Sequence, residues 1–153
     1  MKASLAFIFF MLFLAGIAFV NLRGMQSVEA TSITSIDELN DVVWRPTHLG
    51  EMNVDDDTDM SLQFNNDSQI SGHGGCNRFF ASYELKDGKL TFGPLGATRM
   101  ACPEPAASIE LSYFEALSAT RTAVRVDRRL ALKNDAGQTL LRFVAISPDE
   151  MAQ

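Results

Sequence analysis

The chain of 153 residues has few basic residues, few histidines and only two cysteines, and these shortages exclude several classes of protein. Thirteen Lys and Arg against nineteen Asp and Glu give a formal net charge of -6, a sign that repels the phosphates of nucleic acid. We therefore expect no nucleic-acid partner. No cysteine lies near residue 20 or 30, which excludes a lipid-modified N-terminal cysteine. Cys76 and Cys102 are also too far apart for a Cys-x-x-Cys redox motif.

The chain shows no repeat of solenoid length and no low-complexity tract. Its length and its hydrophobic fraction of 46% suit one globular domain with a real core and leave too little room for two. We therefore expect a single domain.

The first 30 residues differ in composition from the rest. Lys2 precedes an uncharged apolar run over residues 3–20, and Val28 and Ala30 are small side chains of the kind that a signal peptidase accepts. Residues 1–30 are therefore predicted to be a signal peptide or an N-terminal membrane anchor, because a run of this length can just span a bilayer. Either way the rest of the chain is expected to be exported, to the periplasm or the outer face of the inner membrane, and not lipidated.

Alternating apolar and polar residues predict short β-strands beyond residue 31. Residues 60–65 alternate strictly and predict a half-buried strand. Farther on, Asp87 and Gly88 form a two-residue turn of a predicted hairpin in which Leu85 faces Leu90. By contrast, residues 45–59 are predicted to form a loop.

Two helical segments are predicted from capping and periodicity. Ser35 and Glu38 form a capping box that predicts a short helical turn. Residues 103–120 predict the one substantial helix, with prolines near its start. The apolar stripe of this helix comprises Ala106, Ile109, Tyr113, Phe114 and Leu117. Strands are predicted again after residue 121, the last of them with Leu141, Phe143 and Ala145 on its inward face.

Several motifs, taken together and in this order, resemble those of the META domain, the family of the heat-shock protein HslJ. They are "GCNRF", "SYELKDGKLTFGPLGATRMAC", the helix with Glu110, and "LALKNDAGQTLLRF", and the resemblance covers residues 37–145. It implies a single α+β domain over residues 31–147, with a polar tail at 148–153. In this fold a strongly curved antiparallel sheet of about eight strands, arranged as a meander, packs on one main helix. The tight turns between consecutive strands independently favour an antiparallel meander.

The resemblance also implies a class of function. Relatives are linked to heat shock and to tolerance of antimicrobial or envelope stress, so we expect an exported, non-catalytic cell-envelope protein of the same kind. We expect it to be monomeric, to need no cofactor, and to have an envelope ligand or protein as its partner, with a peptide or an apolar ligand as the molecule that it binds. Two alternatives stay open: a secretion-pilot-like adaptor for a membrane complex, and an enzyme that uses the thiol of Cys76.

The two cysteines admit three interpretations. In an oxidising envelope compartment two cysteines of a small domain commonly pair, so we expect a disulfide between Cys76 and Cys102. A thiol nucleophile at Cys76 would need His73 as its base. A metal site built from His73, Cys76 and Cys102 would still lack a clear fourth ligand, and we expect no metal.

Asn77, Arg78, Thr98 and Arg99 flank the two cysteines, so a disulfide would gather them into one patch. Two guanidinium groups at one edge of an acidic domain suggest a site for an anion or a peptide carboxylate. The alternative is that these four side chains support the backbone and pair with local acids.

An acidic run resembles the start of a calcium-binding loop, but the residues at the later positions of that loop do not match. Asp55, Asp57 and Asp59 have the one-three-five spacing, yet Met60 stands where a glycine is needed and Asn66 where a glutamate is needed. An EF-hand is excluded, and either a loose cation site or a solvated acidic loop remains.

Overall fold

The computed structural model describes residues 31–147 of the chain. The predicted signal peptide or anchor over residues 1–30 and the polar tail at 148–153 lie outside the described residues. Within the described range, no helix is both long and apolar enough to cross a membrane.

The described residues form eleven β-strands and one α-helix, α1 (Ala106–Ser118), with a 3₁₀ turn at Ile36–Glu38. The strands in chain order are β1 (Thr31–Ser32), β2 (Val43–Leu49), β3 (Met52–Asn53), β4 (Met60–Asn65), β5 (Gln69–Gly74), β6 (Arg78–Lys86), β7 (Lys89–Phe92), β8 (Gly96–Ala97), β9 (Thr122–Val126), β10 (Arg129–Lys133) and β11 (Thr139–Ile146).

All the strands belong to one antiparallel, strongly curved sheet. Its order is β1-β9-β10-β11-β2-β4-β5-β6-β7, with β3 beside β2 and β8 beside β6. Because β11 returns to pair with β2, the sheet bends round until β7 approaches β9, where the Leu90 amide donates to the Arg121 carbonyl oxygen at 2.8 Å. The result is a nearly closed sheet in which eight strands are longer than two residues. The predicted α+β fold, a curved antiparallel sheet with one main helix, is confirmed.

The helix packs inside the curve of the sheet and completes the hydrophobic core. Tyr113 and Leu117 of α1 are fully buried. The Tyr113 ring meets the Phe79 ring of β6 edge to face, with centroids 5.8 Å apart, and lies 6.4 Å from the Phe143 ring of β11. Aromatic contacts of this kind join the helix to both halves of the sheet.

Most of the local predictions are confirmed. The strand predicted over residues 60–65 is β4, with Met60 and Leu62 buried. The β6–β7 hairpin turns at Asp87-Gly88 and pairs Leu85 with Leu90 as predicted. The capping box also forms, although it opens a 3₁₀ turn of three residues.

The prediction of a loop over residues 45–59 is wrong for its first part. In the structure β2 continues through Pro46 to Leu49, and β3 follows it. A proline normally interrupts a strand, since it has no amide hydrogen to donate. Pro46 is tolerated because it pairs with Phe143 beside an irregularity in the β11 register, between Arg142 and Phe143.

The two tyrosines provide a test of the packing at high pH. Burial strongly raises the pKa of Tyr113 above its ordinary value of 10.0, while its hydroxyl donates to the Ser61 carbonyl oxygen at 3.3 Å. The pKa of Tyr83 is also raised, mainly by burial and to a smaller extent by the negative charges of Asp67 and Asp37.

The unfolded chain releases these phenolic protons near pH 10, whereas the folded protein retains them, so the stabilisation is complete below about pH 10 and is lost as the pH rises further. We expect the phenolate absorbance of Tyr113 to appear together with unfolding. The variant Tyr113→Phe should lose about 1 kcal/mol at pH 7, the worth of its hydrogen bond, yet depend less on pH above 10. Ionisation of Tyr113 near pH 10 in protein that stays folded would contradict its burial.

Candidate functional site

A disulfide joins the turn between β5 and β6 to the segment before α1. Cys76 and Cys102 are bonded, with their Cα atoms 6.1 Å apart, so neither sulfur is a free thiol in the structure. The base that a thiol enzyme would need, His73, instead has its Nδ1 2.7 Å from the Asp59 carbonyl oxygen. Nowhere between residues 31 and 147 do three His, Cys, Asp or Glu side chains gather in a way that could hold a metal ion.

Beside the disulfide, Glu110 of α1 receives hydrogen bonds from the turn that carries Cys76. Its Oε2 accepts from the backbone amides of Asn77 at 2.5 Å and Cys76 at 3.2 Å, and its Oε1 accepts from Asn77 Nδ2 at 2.7 Å. Asn77 is 5% exposed and Glu110 is 8% exposed. A buried carboxylate is costly unless donors surround it, and here the three donors come from two adjacent residues.

Asn77 extends the same network to the segment before Cys102. Its Oδ1 accepts from Thr98 Oγ1 and from the Met100 backbone amide, both at 2.8 Å. Because the amide oxygen faces two donors and the amide nitrogen faces Glu110, the orientation of this side chain is determined by its partners. The network therefore links the turn before β6, the 98–102 segment and α1 by hydrogen bonds in addition to the disulfide.

The surroundings of Gly74 show why one of the glycines before Cys76 is needed. A Cβ atom at this position would lie 2.8 Å from Glu110 Oε2 and 2.9 Å from the Phe114 ring. Any larger residue would displace the helix or the carboxylate, so close approach requires glycine here. Gly75 has a positive φ of 104°, which lets the turn reverse before Cys76.

Among the four predicted patch residues, Asn77 and Thr98 belong to this network, whereas Arg78 and Arg99 are exposed. Within residues 31–147 neither guanidinium group takes part in an ion pair, since the three ion pairs there involve Arg45, His73 and Arg121. Arg78 contacts Thr98 through its backbone, with the Thr98 amide donating to the Arg78 carbonyl oxygen at 3.0 Å. The patch thus divides into two hydrogen-bonded residues, of which Asn77 is buried and Thr98 exposed, and two exposed cations.

Arg78 shares the outer surface of β6 with Phe80, because side chains two residues apart on a strand point the same way. Phe80 is 61% exposed and lies over Gly96 of β8, where a Cβ atom would be 2.6 Å from the ring. Across β6, Arg78 pairs with His73 of β5 and Phe80 with Ser71. A groove of about 480 Å³ lies between these side chains, and Asp59, whose carboxylate is 3.5 Å from His73 Nδ1, lines its His73 end. We call this surface the Arg78 face, defined by Ser71, His73, Arg78, Phe80 and Thr98.

The comparisons with known proteins agree with this architecture and these motifs. Residues 37–146 match the META domain, a span that covers most of the chain. The chain belongs to the META domain family. The predicted resemblance over residues 37–145 is thereby confirmed. No curated protein matches the chain.

Solved structures support the fold of this META domain. A protein from Burkholderia xenovorans, solved by NMR, is 33% identical over 72% of this chain and 85% of its own, with a TM-score of 0.59. A second NMR structure is 26% identical over 73% of this chain and 95% of its own, with a TM-score of 0.58. A DUF4847 family protein from Bacteroides vulgatus, 11% identical over 71% of this chain and 95% of its own, has a TM-score of 0.52 and is similar in fold alone.

Family membership supports a stress-related or cell-envelope protein in general terms. We did not predict from the sequence that Glu110 accepts hydrogen bonds from the turn around Asn77, although its position in the helix indicates a buried carboxylate. Glu110 lies four residues after Ala106, three before Tyr113 and seven before Leu117, on the face of α1 that enters the core. A carboxylate at such a position requires buried donors, and a search for them in the sequence leads to the polar turn around Asn77.

Proposed function

We propose that this META domain is a non-catalytic binding protein of the cell envelope, whose Arg78 face accepts a peptide carboxylate with a neighbouring apolar side chain. The observation that carries the proposal is the exposed guanidinium of Arg78 next to the exposed ring of Phe80, on a support that is hydrogen-bonded throughout. Binding of this ligand contributes to tolerance of envelope, heat or antimicrobial stress.

The support beneath the Arg78 face favours recognition over a purely structural role. Asn77 and Glu110 fix the backbone from which Arg78 projects, so little ordering of that backbone is needed when a ligand binds. Glu110 already receives its donors from Asn77 and Cys76, which leaves the guanidinium of Arg78 outside that network. An arginine on an ordered backbone beside an exposed aromatic ring is typical of residues that dominate binding energy.

The chemistry of the Arg78 face suits the free C-terminal carboxylate of a peptide. A guanidinium group can donate two parallel hydrogen bonds to one carboxylate, and Arg99 offers a second cation on the segment that Thr98 holds against β6. Phe80 and Met100, which are 61% and 60% exposed, supply apolar surface for a neighbouring side chain.

The disulfide fits a protein that works in an oxidising compartment, because cytosolic thiols are kept reduced. It also weighs against the alternative of a thiol enzyme, since Cys76 would have to be reduced before it could act. The adaptor alternative places a peptide of a membrane complex on the sheet, so it differs from the proposal in the identity of the partner.

The double variant Arg78→Ala/Arg99→Ala tests the proposal. We expect at least about tenfold weaker binding to peptides with a free C-terminal carboxylate, and loss of stress tolerance, because the charged contacts are removed. The melting temperature should be retained, since neither guanidinium group pairs with the described residues. Binding is measured on peptide arrays, and tolerance in cells challenged with heat, oxidant and antibiotic.

The matched control is Lys86→Ala/Lys89→Ala, which removes the same charge from the exposed β6–β7 hairpin. The proposal fails if this control weakens binding equally, or if C-terminally amidated peptides bind as well as free acids. If stress tolerance is lost together with a lower melting temperature, the two arginines stabilise the fold and do not form a binding site. Specific crosslinking to one subunit of a membrane complex would favour the adaptor.

A further inference from the structure

A second surface of the META domain concentrates positive charge, although the chain as a whole is acidic. It lies on the outer side of β9, β10, β11 and β2, strands that contribute nothing to the Arg78 face. We call it the basic groove. A depression of about 740 Å³ lies here, and its basic residues are His48, Arg129, Lys133 and Arg142. A neighbouring depression shares Arg129 and adds Arg45 and Arg128.

Small apolar side chains form the floor of the basic groove. Ala131 of β10 is flanked by Val124 of β9 on one side and by Arg142 of β11 on the other. One row along, Arg129 is flanked by Val126 and Val144. These apolar residues are half-buried.

Ala123 of β9 is buried and therefore points into the core. Val124 and Val126 point to the opposite, outer side of the sheet. The register explains this orientation, because Ala123 pairs with Leu132 of β10, whose side chain is in the core. Two valines are therefore left on the outer side of the sheet, beneath the cations.

Some of these cations already have partners, but the central ones do not. Arg45 lies 3.5 Å from Asp56, and Arg128 donates to the Ala145 carbonyl oxygen at 2.7 Å. Within the described residues, Arg129 and Lys133 form no ion pair and no side-chain hydrogen bond. Among the described residues that line the two depressions, the acidic side chain is Asp127, in the turn between β9 and β10. The centre of the basic groove thus carries uncompensated positive charge.

We propose that the basic groove binds an extended acidic peptide with acidic residues at positions i and i+4 and an apolar residue at i+2. Arg129 and Lys133 are four residues apart on β10, a distance of about 13 Å along a strand. An extended peptide that runs along β10 repeats this spacing, so its two carboxylates meet Arg129 and Lys133 together. Its central side chain then lies over Ala131, between Val124 and Arg142.

The geometry favours a peptide over two other anionic partners. Insertion into a bilayer requires apolar side chains that project beyond the cations, whereas these valines lie at the floor of the groove, below the ends of longer Arg and Lys side chains. A nucleic acid would extend past the groove to the acidic remainder of the surface, which repels phosphate. The charge complementarity of the groove therefore points to a short acidic segment.

Binding of a labelled seven-residue peptide to the disulfide-bonded protein tests this assignment. The peptide carries Glu at positions 2 and 6 and Leu at position 4, and its termini are blocked so that no terminal carboxylate can engage the Arg78 face. We expect Arg129→Ala/Lys133→Ala to weaken binding at least about tenfold, and the affinity to fall as salt is added. Ala131→Trp, which fills the floor and keeps every charge, should weaken binding similarly.

The control variant Arg78→Ala/Arg99→Ala should bind the blocked peptide normally, which separates this inference from the proposed function. A peptide with Gln in place of both Glu residues should lose binding. The assignment is overturned if the Gln peptide binds equally well, or if neither Arg129→Ala/Lys133→Ala nor Ala131→Trp changes the affinity. It is also overturned if phosphatidylglycerol vesicles or single-stranded DNA bind more tightly than the peptide through these residues.

Discussion

Replacement of Glu110 by alanine is expected to destabilise this META domain by about 3 to 5 kcal/mol, because it leaves three donors, two of them buried, without an acceptor. These donors are the backbone amides of Cys76 and Asn77 and the side-chain amide of Asn77. Each hydrogen bond to a charged group contributes about 1.5 to 3 kcal/mol, although coupled bonds do not add fully. The loss should appear as a lower urea midpoint with an unchanged slope.

The variant Glu110→Gln makes the same test without creating a cavity. One oxygen remains to accept from the two backbone amides, but the new amide nitrogen would face the Asn77 side-chain nitrogen, so two donors would meet. Asn77 cannot relieve this by rotating its amide, because its oxygen accepts from Thr98 and Met100. We expect an intermediate loss of about 2 to 3 kcal/mol.

Glu115→Ala is the matched control, since it removes an exposed carboxylate from the same helix. It should change stability by less than about 0.5 kcal/mol. If Glu110→Ala were no more harmful than Glu115→Ala, the turn around Asn77 would not depend on the carboxylate, and the rigidity assigned to the Arg78 face would lose its basis.

Loss of the disulfide is the second large expected effect. Cys76→Ser and Cys102→Ser should each destabilise the domain by about 2 to 5 kcal/mol, with the double variant no worse than either single variant. The bridge closes a sequence separation of 26 residues, and in the chain-entropy model a loop of that size stabilises by roughly 3.5 kcal/mol. The measurement is urea unfolding of oxidised and reduced protein.

The reduced wild-type protein should unfold at the same urea concentration as the double variant, and reductant should leave the double variant unchanged. We expect the reduced protein to remain folded, because Asn77 still links the turn before β6 to the 98–102 segment by hydrogen bonds. An additive double variant would show that the two sulfurs stabilise the domain through separate contacts. A reduced protein that is as stable as the oxidised one would show that the network alone holds these segments.

Alternation and turn chemistry were sufficient to predict the local elements. Met60, Leu62 and Phe64 define β4 because side chains on a strand alternate between its two faces. Gly88, with a positive φ of 74°, allows the two-residue turn that sets the register of Leu85 against Leu90. These features depend on neighbours in sequence, and their physical causes can be read from a short window.

The strand through Pro46 could not be predicted in the same way. A proline within a short polar stretch favours a loop, and only its pairing with Phe143 of the distant β11, beside a register shift, makes the strand possible. The outward direction of Val124 has a similar origin. Both faces of β9 carry apolar residues, so the inward face is decided by the pairing of Ala123 with Leu132.

By itself, the sequence determined the one-domain α+β class, the antiparallel order of neighbouring strands, the family motifs and the proximity of Asn77 and Thr98 to the two cysteines. Only the tertiary structure decided that Glu110 supports the turn around Asn77, and that Arg129, Lys133 and Arg142 line one depression with an apolar floor. The physical reason is that local conformation follows from propensity and periodicity, whereas a buried carboxylate or a surface groove depends on partners from distant segments. Those partners meet only when β11 pairs with β2 and α1 packs inside the sheet.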